Sequence, residues 1–151
     1  MELSKATTIL EDLNETLEDG RQGFTQAAEK LEKDGHGQIA AKMREFAMQR
    51  QELSRELAGI ASANGMTFET GDGTAAGALH RGWMSMKDAL TGSDPHAILA
   101  AAERGEDHAV AQYREALNED LPAPIRTVVS QQATAVKTAH DQVRDLRDAN
   151  V

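Results

Sequence analysis

Glu103 and Glu106 stand one helical turn apart in the run Glu103-Arg-Gly-Glu-Asp107, and His140 falls near the middle of a long periodic segment further on. Carboxylates at that spacing share a helix face. With an imidazole from a neighbouring helix they are donor types that hold a divalent ion such as iron or manganese. Arg50 offers a different chemistry. It interrupts the apolar stripe of its own segment, as Glu106 interrupts a stripe otherwise made of small and apolar residues. A guanidinium against that carboxylate makes a buried ion pair, with Gln132 or His140 satisfying the remaining hydrogen-bonding capacity. Buried charges are rarely left unpaired. The expectation is a buried polar layer of Arg50, Glu106, Gln132 and His140. The alternative is a metal set of Glu103, Glu106 and His140.

A second group lies in Gly77-Ala-Leu-His-Arg-Gly-Trp83, which carries the only Trp of the chain. His80, Arg81 and Trp83 together would suit an anion or an aromatic ligand. The plainer expectation is that Trp83 seals a crossing segment onto the core while a carbonyl or carboxylate fixes His80. His36, His96 and His108 are expected at the surface, with Glu32 and His36 one turn apart as an incidental metal trap. No nucleophile turn is visible, and Gly71-Asp-Gly73 lacks the Lys and the preceding strand of a phosphate loop.

These residues need helices to position them. Apolar and small residues recur at threes and fours from Ala6 to Leu31, which predicts a first helix starting near Ser4, with Thr8 and Glu11 as a capping box. Gly20 and Gly23 in its interior cost about 1 kcal/mol each against Ala and imply that a neighbouring backbone comes close. Its acidic run of Glu11, Asp12, Glu15, Glu18 and Asp19 is expected to be a solvated face. After Asp34-Gly-His-Gly37, a second helix carries Ile39, Met43, Phe46, Leu53, Leu57 and Ile60. The third is expected from about Thr74 to Leu90. Ser93-Asp-Pro95 reads as a cap and first turn of a fourth helix reaching about Asn118, and Leu121-Pro-Ala-Pro124 opens a fifth. No segment alternates with period two, so the fold class is all-α, expected as one helical-bundle domain over 1–151.

At ~1.5 Å per residue, four of these helices are on the order of 35 to 45 Å long and the third about 25 Å. Two hairpins joined by a loop and a short helix that return along the bundle give a ferritin-like arrangement with one long connection. Composition agrees with close-packed helices: 40% of residues are hydrophobic but only 3% aromatic. A formal charge of -9 with no basic stripe argues against nucleic acid, and zero cysteines exclude disulfides and thiolate chemistry. No apolar run approaches the ~20 residues of a membrane span, and the N-terminus lacks a basic region followed by an apolar run, so a cytoplasmic protein is expected.

Glu18-Asp-Gly20 with Phe24, Gly77-Ala-Leu-His-Arg-Gly-Trp83, Leu90-Thr-Gly92, Glu103-Arg-Gly-Glu-Asp107, Tyr113-Arg-Glu-Ala-Leu117 and Ala139-His-Asp141 carry a resemblance. The chain resembles, over nearly its whole length, a bacterial four-helix-bundle family of unknown function placed in the ferritin-like superfamily. The resemblance implies a fold rather than an activity. Ferritin-like di-metal enzymes supply Glu from two helices and a Glu-x-x-His pair from each of the other two. This sequence contains no Glu-x-x-His, and its second helix offers Arg50 where a ligand is wanted. The expected function is therefore a non-enzymatic structural, stress-linked or interaction module without a cofactor, self-associating through an Ala-rich or apolar helix face. A ferritin-like iron or manganese enzyme or storage protein is the alternative.

Overall fold

The computed structural model describes residues 3–68 and 79–151. Five helices account for most of them: α1 (Leu3–Lys33), α2 (Gly37–Ala63), α3 (Met84–Ala89), α4 (Pro95–Leu117) and α5 (Ala123–Ala149). The described residues contain no strand.

Local chemistry explains the ends. The chain leaves α1 through Gly35 at φ +88, so that the Gly35 and His36 amides reach back to the Glu32 and Leu31 carbonyls. A left-handed residue there satisfies carbonyls that the helix leaves open, at no Cβ penalty. Asp94 caps α4 by accepting from the His96 amide at 3.0 Å, and Pro95 fills the first turn, where its missing N–H costs nothing. Between α4 and α5 the Arg126 guanidinium donates to the Leu117 and Glu119 carbonyls.

Cross-helix bonds fix the directions. Asn14 meets Ser54 and Glu32 meets Arg44, so α1 and α2 are antiparallel. Glu103 meets Arg147 and Asp107 meets His140, so α4 and α5 are antiparallel too. Lys5 pairs with Glu119 at 3.2 Å, which sets α1 against α4, and Gln132 reaches the Leu53 carbonyl, which sets α5 against α2. Each long helix thus packs against two antiparallel neighbours. Accordingly α2 and α4 run the same way.

Two expectations fail. Thr8 is no cap: the helix already begins at Leu3, and the Thr8 hydroxyl donates to the Ser4 carbonyl one turn back. The third helix is only Met84–Ala89, packed chiefly on α4. Residues 80–83 form a turn instead, with Gly82 at φ +68, a conformation incompatible with a helix. The earlier part of the expected helix, and Gly71-Asp-Gly73, lie outside the described residues.

The core has two apolar halves. One gathers Phe24, Met43, Phe46, Trp83, Met86, Ile98, Leu99 and Val143. The other gathers Leu10, Leu13, Leu17, Leu57, Ile125, Val129 and Val136 with the ring of Tyr113. Polar side chains lie between and among them, and these make the site.

Candidate functional site: a buried arginine–glutamate pair

Arg50 of α2 and Glu106 of α4 come from diagonally placed helices and meet with zero exposure on both side chains. Contact is bidentate: Nη1 to Oε1 at 2.5 Å and Nη2 to Oε2 at 2.6 Å. Nε donates to the Gln49 side-chain oxygen at 3.2 Å, and the guanidinium carbon stands 5.3 Å from the centre of the Phe24 ring. Parallel N–H to oxygen bonds of this kind are about twice as strong as neutral ones. Room for the guanidinium comes from Gly20, where a Cβ would lie 3.2 Å from Nη1. The close neighbour expected at that glycine is a side chain, not a backbone.

Toward the second apolar half, the Ser54 hydroxyl donates to Asn14, and both side chains are buried. Further on, the Tyr113 hydroxyl donates to Gln132 Oε1 at 2.7 Å, while Gln132 Nε2 donates to the Leu53 carbonyl at 3.0 Å and to Glu56 at 2.8 Å. Burial pushes the Tyr113 hydroxyl well above the ordinary tyrosine range, so it serves as a neutral donor. Gln132 therefore does not share the Arg50–Glu106 layer. Ala139 takes the inward position of α5 near that height, and Gln132 lies seven residues, ~10 Å, along the helix.

His140 is not part of the buried layer either. Its ring turns toward the surface, with Nε2 on Asp107 at 2.6 Å and Nδ1 on Asp141 at 3.0 Å. Partial burial disfavours charge on the ring, but the bonds to Asp141 and Asp107 outweigh it and hold the His140 pKa above its ordinary value. Glu103, the third member of the alternative metal set, pairs with Arg147. Glu103, Glu106 and His140 thus face three different partners. Among the described residues, no three His, Asp or Glu side chains are grouped to hold a metal ion.

The crossing segment is fastened beside this layer. The indole of Trp83, 1% exposed, lies between two glycines: a Cβ at Gly23 of α1 or at Gly105 of α4 would come within 2.2 Å of it. The Phe24 ring meets it edge-on at 5.0 Å between centres, and Phe46 follows at 5.3 Å from Phe24. Gly105 precedes Glu106, and the Phe24 ring that meets the indole also faces the Arg50 guanidinium, so Phe24 links the indole to the pair. Gly82 presses on α4 where a Cβ would meet that of His108 at 2.6 Å. His108 is therefore half-buried rather than at the surface, with its Nε2 buried and unpartnered. His96 likewise turns inward, its Nδ1 3.1 Å from the Arg147 carbonyl oxygen.

Arg81 reaches back to α1, donating to Asp19 Oδ2 from Nε at 2.9 Å and to Glu15 from Nη1 at 3.0 Å. The acidic run is thus only partly a solvated face. Glu11 and Asp12 are exposed, but Glu18 and Asp19 are buried, Glu18 against Arg21 and Asp19 under Arg81. Burial raises the Asp19 pKa, and the Arg81 bond offsets that only in part. Asp19 Oδ1 and His80 Nε2 are both buried without a partner, so the bond expected for His80 is absent at that nitrogen. Tyr113 stands on the same stripe as Glu106 in the sequence, whereas Asn14 gave no such signal.

These features define a class: an all-α protein in which four long helices enclose a bidentate guanidinium–carboxylate contact with no solvent exposure. The chain belongs to a family described as a domain of unknown function, DUF2383, whose model matches residues 5–119. No curated protein matches the chain.

Proposed function

We propose that this chain is a ferritin-like four-helix module of a bacterial cytoplasmic protein that works without a metal centre, as a structural, stress-linked or interaction module. One observation carries the reading: Arg50 and Glu106 close on each other with both carboxylate oxygens and two guanidinium nitrogens engaged, at zero exposure. Four antiparallel neighbours with one long connection support the ferritin-like assignment. In that arrangement a di-metal protein gathers carboxylates and imidazoles at mid-bundle. Here the cation at that place is covalently part of the chain.

The residues present do not fit a di-iron or di-manganese centre. Glu106 would have to leave Arg50, Glu103 leave Arg147, and His140 leave Asp107, and the freed Arg50 would remain as a buried positive charge beside the incoming ions. The module's partner is then another protein surface, in the first instance a second copy of the chain meeting it along a helix face. Among the described residues no helix is long and apolar enough to cross a membrane.

Elemental analysis of protein purified without chelators tests the reading. We expect iron and manganese far below one per chain, at the same level in wild type and Glu106→Gln. Near-stoichiometric metal that disappears with Glu106→Gln would replace this reading with the metal-storage or metalloenzyme alternative.

A further inference from the structure

We propose that residues 79–90 form a strap that opens as a unit from α1 and α4 while the four long helices stay folded, and that this opening is the route by which water and small solutes reach Arg50 and Glu106. The position of the strap gives it that role. Trp83 lies against Gly105, the residue before Glu106, and against Phe24, whose ring also meets the Arg50 guanidinium. Lifting the indole uncovers the pair from the α1–α4 side.

Three features make the strap the part that yields. Its helix is six residues long, far below the length at which a helix holds itself, so its order depends on docking. Docking rests on the Trp83 wedge, the buried Met86, and the Arg81 clamp, whose arginine side chain is 40% exposed and open to screening. Closure also leaves Asp19 Oδ1 and His80 Nε2 buried and unpartnered, and both regain water when the strap lifts. The closed state therefore carries an internal penalty that opening relieves. Local opening of such a unit, at a free energy below that of global unfolding, follows.

The test uses the intact chain and Arg81→Gln, a substitution that removes the clamp and leaves the wedge. Hydrogen exchange is followed at the Met86 and Leu90 amides, which bond within the strap to the Trp83 and Met86 carbonyls, at core amides of α1 and α4, and at the Arg50 Nε–H. In wild type the strap amides and the Arg50 Nε–H should share a protection at least about tenfold below that of Leu17 and Ala109, and in Arg81→Gln they should accelerate together by up to about fivefold, the equivalent of ~1 kcal/mol. Acrylamide quenching of Trp83, the single tryptophan, should rise in the variant, and in wild type at high salt. Strap amides that exchange only with global unfolding would overturn the proposal. So would strap amides that accelerate while the Arg50 Nε–H keeps its wild-type rate, since the strap would then open without uncovering the pair.

Discussion

Arg50–Glu106 and Arg81–Asp19 each tie two elements distant in sequence, and each places a carboxylate out of water. They differ in how completely that carboxylate is answered. Glu106 has both oxygens on the guanidinium, and neither side chain has any exposure. Asp19 is just as hidden but has one oxygen bonded and one buried without a partner, and its arginine is 40% exposed. An ion pair withdrawn from water must recover two desolvation penalties, and it does so only when geometry is good and each buried polar atom has a partner. The first pair meets that condition, so it locks α2 to α4. The second does not, so it fastens the strap weakly.

The sharpest way to break this contrast is to remove one arginine at a time. Arg50→Met leaves Glu106 as an uncompensated charge in a dry interior, and we expect unfolding free energy to fall by about 3 to 5 kcal/mol. Arg50→Met with Glu106→Leu should recover most of that loss, to within about 1 kcal/mol of wild type, because apolar replacement of both partners is often neutral. Arg81→Gln should lower global stability by no more than about 1 kcal/mol, as for a pair with an exposed partner. Denaturant melts of the four proteins decide it. Equal shifts for Arg50→Met and Arg81→Gln would mean that the two pairs are equivalent and that satisfaction of the carboxylate is irrelevant.

A pair of glycines sharpens the contrast with smaller effects. Gly23→Ala drives a methyl to within 2.2 Å of the Trp83 ring, so the wedge must shift or the helices part. Overpacking of this kind costs about 1 to 3 kcal/mol. Gly59 is also inside a helix, but nothing lies within 4 Å of its Cβ position. Gly59→Ala should therefore stabilise the protein by about 1 kcal/mol, the helix-propensity difference alone. Thermal melts with opposite signs are the expected outcome. A destabilising Gly59→Ala would show that α2 is covered on that side by a partner.

The same contrast marks what the chain alone could tell. Long helices were legible because threes and fours recur over more than twenty residues, and a polar residue such as Arg50 or Glu106 stands out against such a stripe. His140 could not be placed that way. Residues 139 and 140 differ by about 100° around a helix, and small Ala139 faces inward while His140 finds carboxylates outside. The buried ends of the acidic run were hidden for another reason. Asp19 is paired by Arg81, 62 residues away, and local pattern carries no trace of a partner at that distance. At the start of α3, apolar spacing continues smoothly through Leu79 and Trp83, but the turn at Gly82 overrides it.

The smallest expected effect concerns His140, which joins α4 to α5 at the rim rather than in the core. Its two ring nitrogens both face carboxylates, Asp107 and Asp141, and a carboxylate can only accept, so both bonds exist together only in the imidazolium. Glu103 adds negative charge from α4, while Lys137 and Arg144 bind Asp141 from α5. The folded pKa is raised above the ordinary 6.5, so the stabilisation is fully present below 6.5 and is lost as pH rises through the folded value. Asp141 behaves in the opposite sense: hydrogen bonds from Lys137 and His140 lower its pKa from 3.8 to about 2, so its contribution is present above 3.8 and fades toward pH 2. Between pH 6 and 9, wild type should lose less than about 1 kcal/mol more than His140→Gln, the ceiling for a part-exposed pair. Parallel stability curves for the two proteins across that window would mean that the folded chain leaves the His140 pKa where the unfolded chain has it, with neither carboxylate favouring the imidazolium.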